Sequence, residues 1–120
     1  MTAAGRRVRL TADPAGAFRA RARRDRARIV LLTERLGGLA DWDAVARPLA
    51  ELEHIAHGLA GAGGVFGHNA VSEAALRVER LAERWRTTAP TTLSLRRKSV
   101  LVRALRVLAA SLGVATADEA

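Results

Sequence analysis

At 120 residues, about half of them apolar, the chain is long enough for one domain with its own core and too short for two of ordinary size. Two Phe, two Trp and no Tyr make that core aliphatic, and the absence of cysteine excludes disulfides, thiol catalysis and Cys-based zinc sites. The net charge of +8 is unevenly placed: +7 over residues 1–28, −2 over 29–90 and +3 over 91–120, with Lys98 the single lysine.

No apolar run approaches the ~20 residues that span a bilayer, and "MTAAGRRVRL" lacks the apolar stretch of a secretory signal. The expectation is a cytoplasmic protein. The arginine bias, beside abundant Ala and Gly, is what a GC-rich coding sequence produces and says little about function.

Residues 1–12 read as a flexible N-terminal tail. A first helix is predicted over 14–36, with Asp13 as cap and Pro14 at the first helical position. Phe18, Ala22, Ile29, Leu32 and Leu36 share one face, interrupted by Asp25, and "GG" at 37–38 is the stop. A second helix is predicted over 44–64, capped by Asp41 or Asp43. Its stripe is Val45, Leu49, Leu52, Ala56 and Leu59. Pro48 is tolerated only near a helix start, so either the first turn is kinked or the helix begins there.

After "AGAGGVFGHN", Asn69 is the expected cap of a third helix over 69–86, with Val71, Ala74, Val78, Leu81 and Trp85 as a bundle seam. "RTTAPTT" reads as a loop. A fourth helix over 93–112 turns Leu101, Ala104, Leu105, Leu108 and Leu112 inward, with Gly113 as its stop. Residues 114–120 read as a C-terminal tail. The fold expected for 13–113 is all-α, an up-down antiparallel four-helix bundle. Leu49, Leu52, Leu59, Val78, Leu81, Leu101 and Leu108 are expected to be buried.

The second helix carries the candidate chemistry. At 100° per residue His57 lies roughly 120° from the apolar stripe, outside the core. Its face holds Ala50 and Glu53 on one side and Gly61 and Gly64 on the other. Glycine inside a helix costs about 0.5–1 kcal/mol against alanine, so Gly58, Gly61, Gly63 and Gly64 imply close approach of something. Gly61 and Gly64 leave the imidazole standing proud, the geometry a nucleophilic histidine needs when its reaction partner is another protein.

"AHGLAGAGGVFG", residues 56–67, resembles the signature of histidine-containing phosphotransfer (HPt) domains: His57, Leu59, Gly61, Phe66 and Gly67 fill the motif. The resemblance extends to the whole chain as a four-helix plan with the motif on its second helix. It implies that His57 accepts a phosphoryl group from a receiver-domain aspartate, as in a hybrid histidine kinase, and passes it to the receiver of a response regulator. The receiver brings the Mg²⁺, so the chain itself needs no metal or cofactor. It is then a monomeric carrier and not an autonomous enzyme, with partner contacts at Ala50, Glu53, His54, Ala60, Gly61 and Gly64. Ala60 departs from the family pattern, which usually has Lys there to offset the phosphoryl charge. Arg77, Arg80 or Arg84 are candidates to replace it, and a degenerate domain that binds receivers without accepting phosphate is the alternative.

Other features have plainer readings. His54 and His57 at i, i+3 offer two ligands without a third, which is no zinc site. His68 reads as a loop residue. Glu53 and His57, at i, i+4, are either a hydrogen-bonded pair that orients the ring or an ordinary exposed pair. Arg19, Arg23 and Arg26 form one row on the first helix and Arg21, Arg24 and Arg28 another, on opposite flanks of the stripe where long side chains snorkel. A nucleic-acid-binding helical module is the weaker second class of function, since no aromatic platform or helix-turn-helix accompanies the rows. A membrane role is not expected.

Overall fold

The computed structural model describes residues 14–38, 42–87 and 95–117. Four helices follow in order: α1 (Pro14–Gly38), α2 (Trp42–Val65), α3 (Asn69–Thr87) and α4 (Leu95–Thr116). Among the described residues there is no strand. Each helix packs on its neighbours in a ring closed by α4 against α1, and α2 with α3 forms the most extensive pair. The fold is an up-down four-helix bundle.

Its core follows from the periodicity. Phe18, Ala22, Ile29, Leu32 and Leu36 of α1 are buried, as are Val45, Leu49, Leu52, Ala56 and Leu59 of α2 and Leu101, Ala104, Leu105, Leu108 and Leu112 of α4. Burying one such Leu or Ile contributes about 1.5–3 kcal/mol. Among the described residues no polar or charged side chain is buried. Among the described residues the charged side chains therefore lie at or near the surface. Asp25, the interruption in the α1 stripe, is half-buried and lies 3.4 Å from Arg21 Nε.

The α3 seam differs from expectation. Its buried residues are Val71, Ala75, Val78, Ala82 and Trp85, while Ala74 and Leu81 are only partly buried. A three-or-four spacing allows either choice at the middle steps. Ala75 and Ala82 take the buried places, and Leu81 lies at the α3–α4 seam beside Val100 and Leu101.

Several ends differ too. Gly37 and Gly38 are the last residues of α1 and not beyond it. α2 starts at Trp42, so Pro48 lies inside it, buried, and is not its first residue. Gly113 does not stop α4. The Arg26 guanidinium rests against it, with Nε 3.4 Å from where a Cβ would stand. The helix runs on to Thr116, whose hydroxyl donates to the Leu112 and Gly113 carbonyls at 3.0 and 3.2 Å. The segment Val114–Thr116 is thus helix, not tail. The predicted tail 1–12, the caps Asp13 and Asp41, and the start of the fourth helix at 93 lie outside the described residues.

α4 also corrects the hydropathy reading: Arg96–Thr116 is long and apolar enough, by length and composition, to cross a membrane. Its leucine stripe is buried in the bundle, and Arg103 and Arg106 stand exposed on the other side.

Candidate functional site

The turn between α2 and α3 sets the site's geometry. Gly67 has φ of 78°, His68 N–H donates to the Gly63 carbonyl at 2.8 Å, and Gly67 N–H donates to that of Gly64 at 3.4 Å. These are the two bonds of a Schellman motif, with glycine at the left-handed position that a Cβ disfavours. The first α3 bond runs from Ser72 N–H to the His68 carbonyl, 3.0 Å. His68 is therefore the residue before the helix, and Asn69, expected as the cap, is the first helical residue. The His68 ring stacks on Phe18 of α1 with centroids 4.7 Å apart.

Three polar rungs then tie α2 to α3. Ser72 Oγ donates to the Ala60 carbonyl at 2.7 Å. One turn on, His57 Nδ1 lies 2.7 Å from Glu79 Oε2. Further along, Arg86 donates from Nε and Nη2 to the two Glu53 oxygens at 2.7 and 3.1 Å. Ser72, Glu79 and Arg86 recur every seven residues, so they form one line along α3.

The His57 side chain is 77% exposed, whereas its partner Glu79 is 20% exposed. An ionised carboxylate has no proton to give, so the ring nitrogen donates and Nδ1 carries hydrogen. In the neutral imidazole the lone pair is then on Nε2, the nitrogen that Glu79 does not hold. A carboxylate on the opposite nitrogen fixes that tautomer and the orientation of the ring. The ring-orienting carboxylate is Glu79; Glu53 is engaged by Arg86. The hydrogen bond to Glu53 is the largest cause that holds the Arg86 guanidinium above its ordinary pKa, with the Glu53 and Glu83 charges adding to it.

The glycines divide into two kinds. A Cβ on Gly63 would stand 3.1 Å from Ser72 N and 3.2 Å from the His68 carbonyl oxygen, so glycine there admits the α3 terminus. A Cβ on Gly58 would collide with the Arg21 guanidinium. Gly64 has only ordinary space, Ser72 Oγ at 3.8 Å, and Gly61 has nothing within 4 Å. The fold gives no packing reason for Gly61. It leaves bare surface one turn from the imidazole.

An open cleft beside the ring is lined by Ala50, Glu53, His54, His57, Glu79 and Arg86. Ala50, Glu53, His54 and His57 are thus brought together as expected, Gly61 and Gly64 are exposed, and Ala60 is half-buried against the core. Arg77, Arg80 and Arg84 do not line this cleft. Arg84 lies at the α3–α4 seam with Arg96 and Arg97. Sequence reasoning missed Glu79 and Arg86. The signal was partial: each follows a stripe residue, Val78 or Trp85, by one, which puts both on one flank of α3, and the structure shows that α2 covers that flank. Among the described residues no three His, Cys, Asp or Glu side chains converge on a cation-sized site.

Comparison of the chain with protein-family models, curated proteins and solved structures finds no match.

Proposed function

We propose that the chain is a phosphoryl carrier of the HPt kind, with His57 Nε2 as the acceptor atom. One observation carries the reading: an exposed imidazole whose other nitrogen is held by Glu79, beside a helix surface that Gly61 leaves empty. A histidine that served packing would be buried, and one that served an internal active site would be enclosed, whereas this ring stands 77% exposed in an open cleft.

The transfer balances without help from a group resident on this chain. The Nε2 lone pair attacks phosphorus of an aspartyl phosphate on a receiver domain. The P–O bond breaks and its electron pair leaves with the aspartate carboxylate. The ring becomes an N-phosphorylated imidazolium, still protonated at Nδ1, and the Glu79 carboxylate stabilises that new positive charge. Reversal delivers the phosphoryl group to a second receiver. Divalent metal and the acidic pocket belong to the receivers, and this chain holds the nucleophile in line and exposes it.

The deciding experiment is incubation with phosphorylated receiver domains, followed by mass spectrometry for an acid-labile phosphate on His57. Acceptance from at least one receiver is expected. Receiver binding without any labelling would replace the carrier with a degenerate domain that only docks.

A second reading is favoured by charge. α1 carries seven Arg against Asp25 and Glu34, and α4 carries five basic residues and no acid. A basic two-helix face of this kind attracts nucleic-acid phosphates, and steeply salt-dependent binding to a duplex DNA fragment is its test.

A further inference from the structure

We propose that Arg86 is the cation that offsets the charge of a phosphoryl group on His57, in place of a lysine at position 60. The inference rests on His57 being the phosphorylated residue.

A dianionic phosphoryl group on Nε2 would enter a cleft whose lining already includes two carboxylates, Glu53 and Glu79, and a methyl-sized side chain in Ala50. Without a cation the group would meet like charge on its own rim. Arg86 is the one arginine or lysine among the lining residues. Ala60 offers none, and Arg84 is turned to the α3–α4 seam.

Arg86 and the ring line the same cleft. Helical side chains lean toward the N-terminus of their own helix. α2 and α3 are antiparallel, so His57 leans down α2 toward Glu53 while Arg86 leans up α3 toward Glu79. Glu53, one turn before His57 on α2 and in the same cleft, grips Arg86 through Nε and Nη2. That grip orients the guanidinium and leaves the Nη1 edge of a five-donor fork for a further acceptor. Glu53 is thus a positioning residue for Arg86, and not a partner of the His57 ring.

The test uses phosphoramidate, a small donor whose P–N bond breaks as ammonia leaves, so that the full-length protein is phosphorylated without any receiver. The ³¹P resonance lost in His57→Gln is assigned to this site, and its shift is followed with pH to obtain the second ionisation of the phosphoryl group. A neighbouring cation favours the dianion and lowers that pKa. Arg86→Gln is expected to raise it by roughly half a unit, a modest shift because the site is exposed. Arg86→Lys should fall between, and Arg84→Gln, with the same change in net charge, should leave it unmoved. Ala60→Lys in the Arg86→Gln background should bring it back down, since a lysine stem can run out from a half-buried position.

An Arg86→Gln titration that overlays the parent's, or one matched by Arg84→Gln, overturns the proposal. The two readings separate cleanly. If no receiver phosphorylates the parent protein but the titration moves as expected, the relay fails and the assignment of Arg86 stands. If receivers label His57 and the titration does not move, the relay stands and Arg86 is only a bridge between helices.

Discussion

The bundle consists of two unlike helix pairs. α2 and α3 are joined by a three-residue turn, meet closely at Gly63, and are cross-tied by Ser72, Glu79 and Arg86. Their charges nearly cancel, six acidic residues against five arginines in the two helix sequences. α1 and α4 are densely basic and meet through apolar side chains, with Arg26 Nε donating to the Ala109 carbonyl at 3.0 Å. Apolar contact stabilises a bundle without fixing its register finely, because it is non-directional. Hydrogen bonds fix register. Chemistry that needs one ring nitrogen aimed outward belongs on the pair whose register is fixed, and His57 is there.

The largest effect expected from that contrast is on phosphorylation. His57→Gln should abolish acid-labile labelling, and His54→Gln, on the same cleft but without a carboxylate across from it, should leave most of it. Gly61→Glu should block transfer from a receiver while the thermal transition stays as high as the parent's, since Glu is the better helix former. Labelling that survives His57→Gln would place the acceptor elsewhere and dissolve the distinction between the pairs.

Next in size is the cost of prising α2 from α3. Gly63→Leu should lower unfolding free energy by roughly 2–3 kcal/mol, as overpacking against a backbone that cannot yield does. Gly61→Ala should raise it by about 0.5–1 kcal/mol. Urea unfolding of the two variants checks both signs at once. Both signs reversed would mean that Gly61, and not Gly63, is the glycine that packing requires.

Glu79→Gln sharpens the comparison further. An amide can still accept from Nδ1–H, so the ring stays in place, but it cannot offset the charge of the phosphorylated ring. Transfer rates should fall about 10–100-fold, as for other partners that tune a histidine through its far nitrogen, with little change in Tm. An unchanged rate measured in single-turnover quench-flow would leave Glu79 as a purely structural partner.

The fold was largely legible in the sequence because every stripe has helical period and every helix is amphipathic. Three of four stripes match residue by residue. The α3 seam does not, because Ala74 and Ala75, or Leu81 and Ala82, satisfy the same spacing and only tertiary packing decides between them. His57, Gly61 and the rim residues Ala50, Glu53 and His54 were legible because they share one helix, where angular position can be calculated. Glu79 and Arg86 were not, since they come from another helix and depend on the turn that sets the register. That turn, expected at 65–68, lies at 66–68, but which of its glycines takes the left-handed conformation and so sets the register, Gly67, is not distinguished by the spacing.

The smallest effect lies where the two pairs touch. Arg28 of α1 grips Glu51 of α2 through Nε and, at 2.8 Å, through Nη2. The hydrogen bond from Arg28 is the first cause holding the Glu51 carboxyl below its ordinary value of 4.5, with the Arg28 and Arg35 charges helping against partial desolvation. A carboxyl whose folded pKa is depressed contributes stability that is fully present above the unfolded pKa and disappears as pH falls through the folded one. The parent should therefore melt slightly above Glu51→Gln at pH 6.5, and the two should converge as the pH is taken below about 4.5 and on through the lowered value. Because both side chains are exposed, added salt should narrow the gap at pH 6.5 as well. Arg86→Gln should show no such convergence specific to Glu51. If the gap between parent and Glu51→Gln holds constant from pH 6.5 to pH 3, the contact between the pairs is packing of the side-chain stems, and the ion pair does not hold α1 against the helix that carries His57.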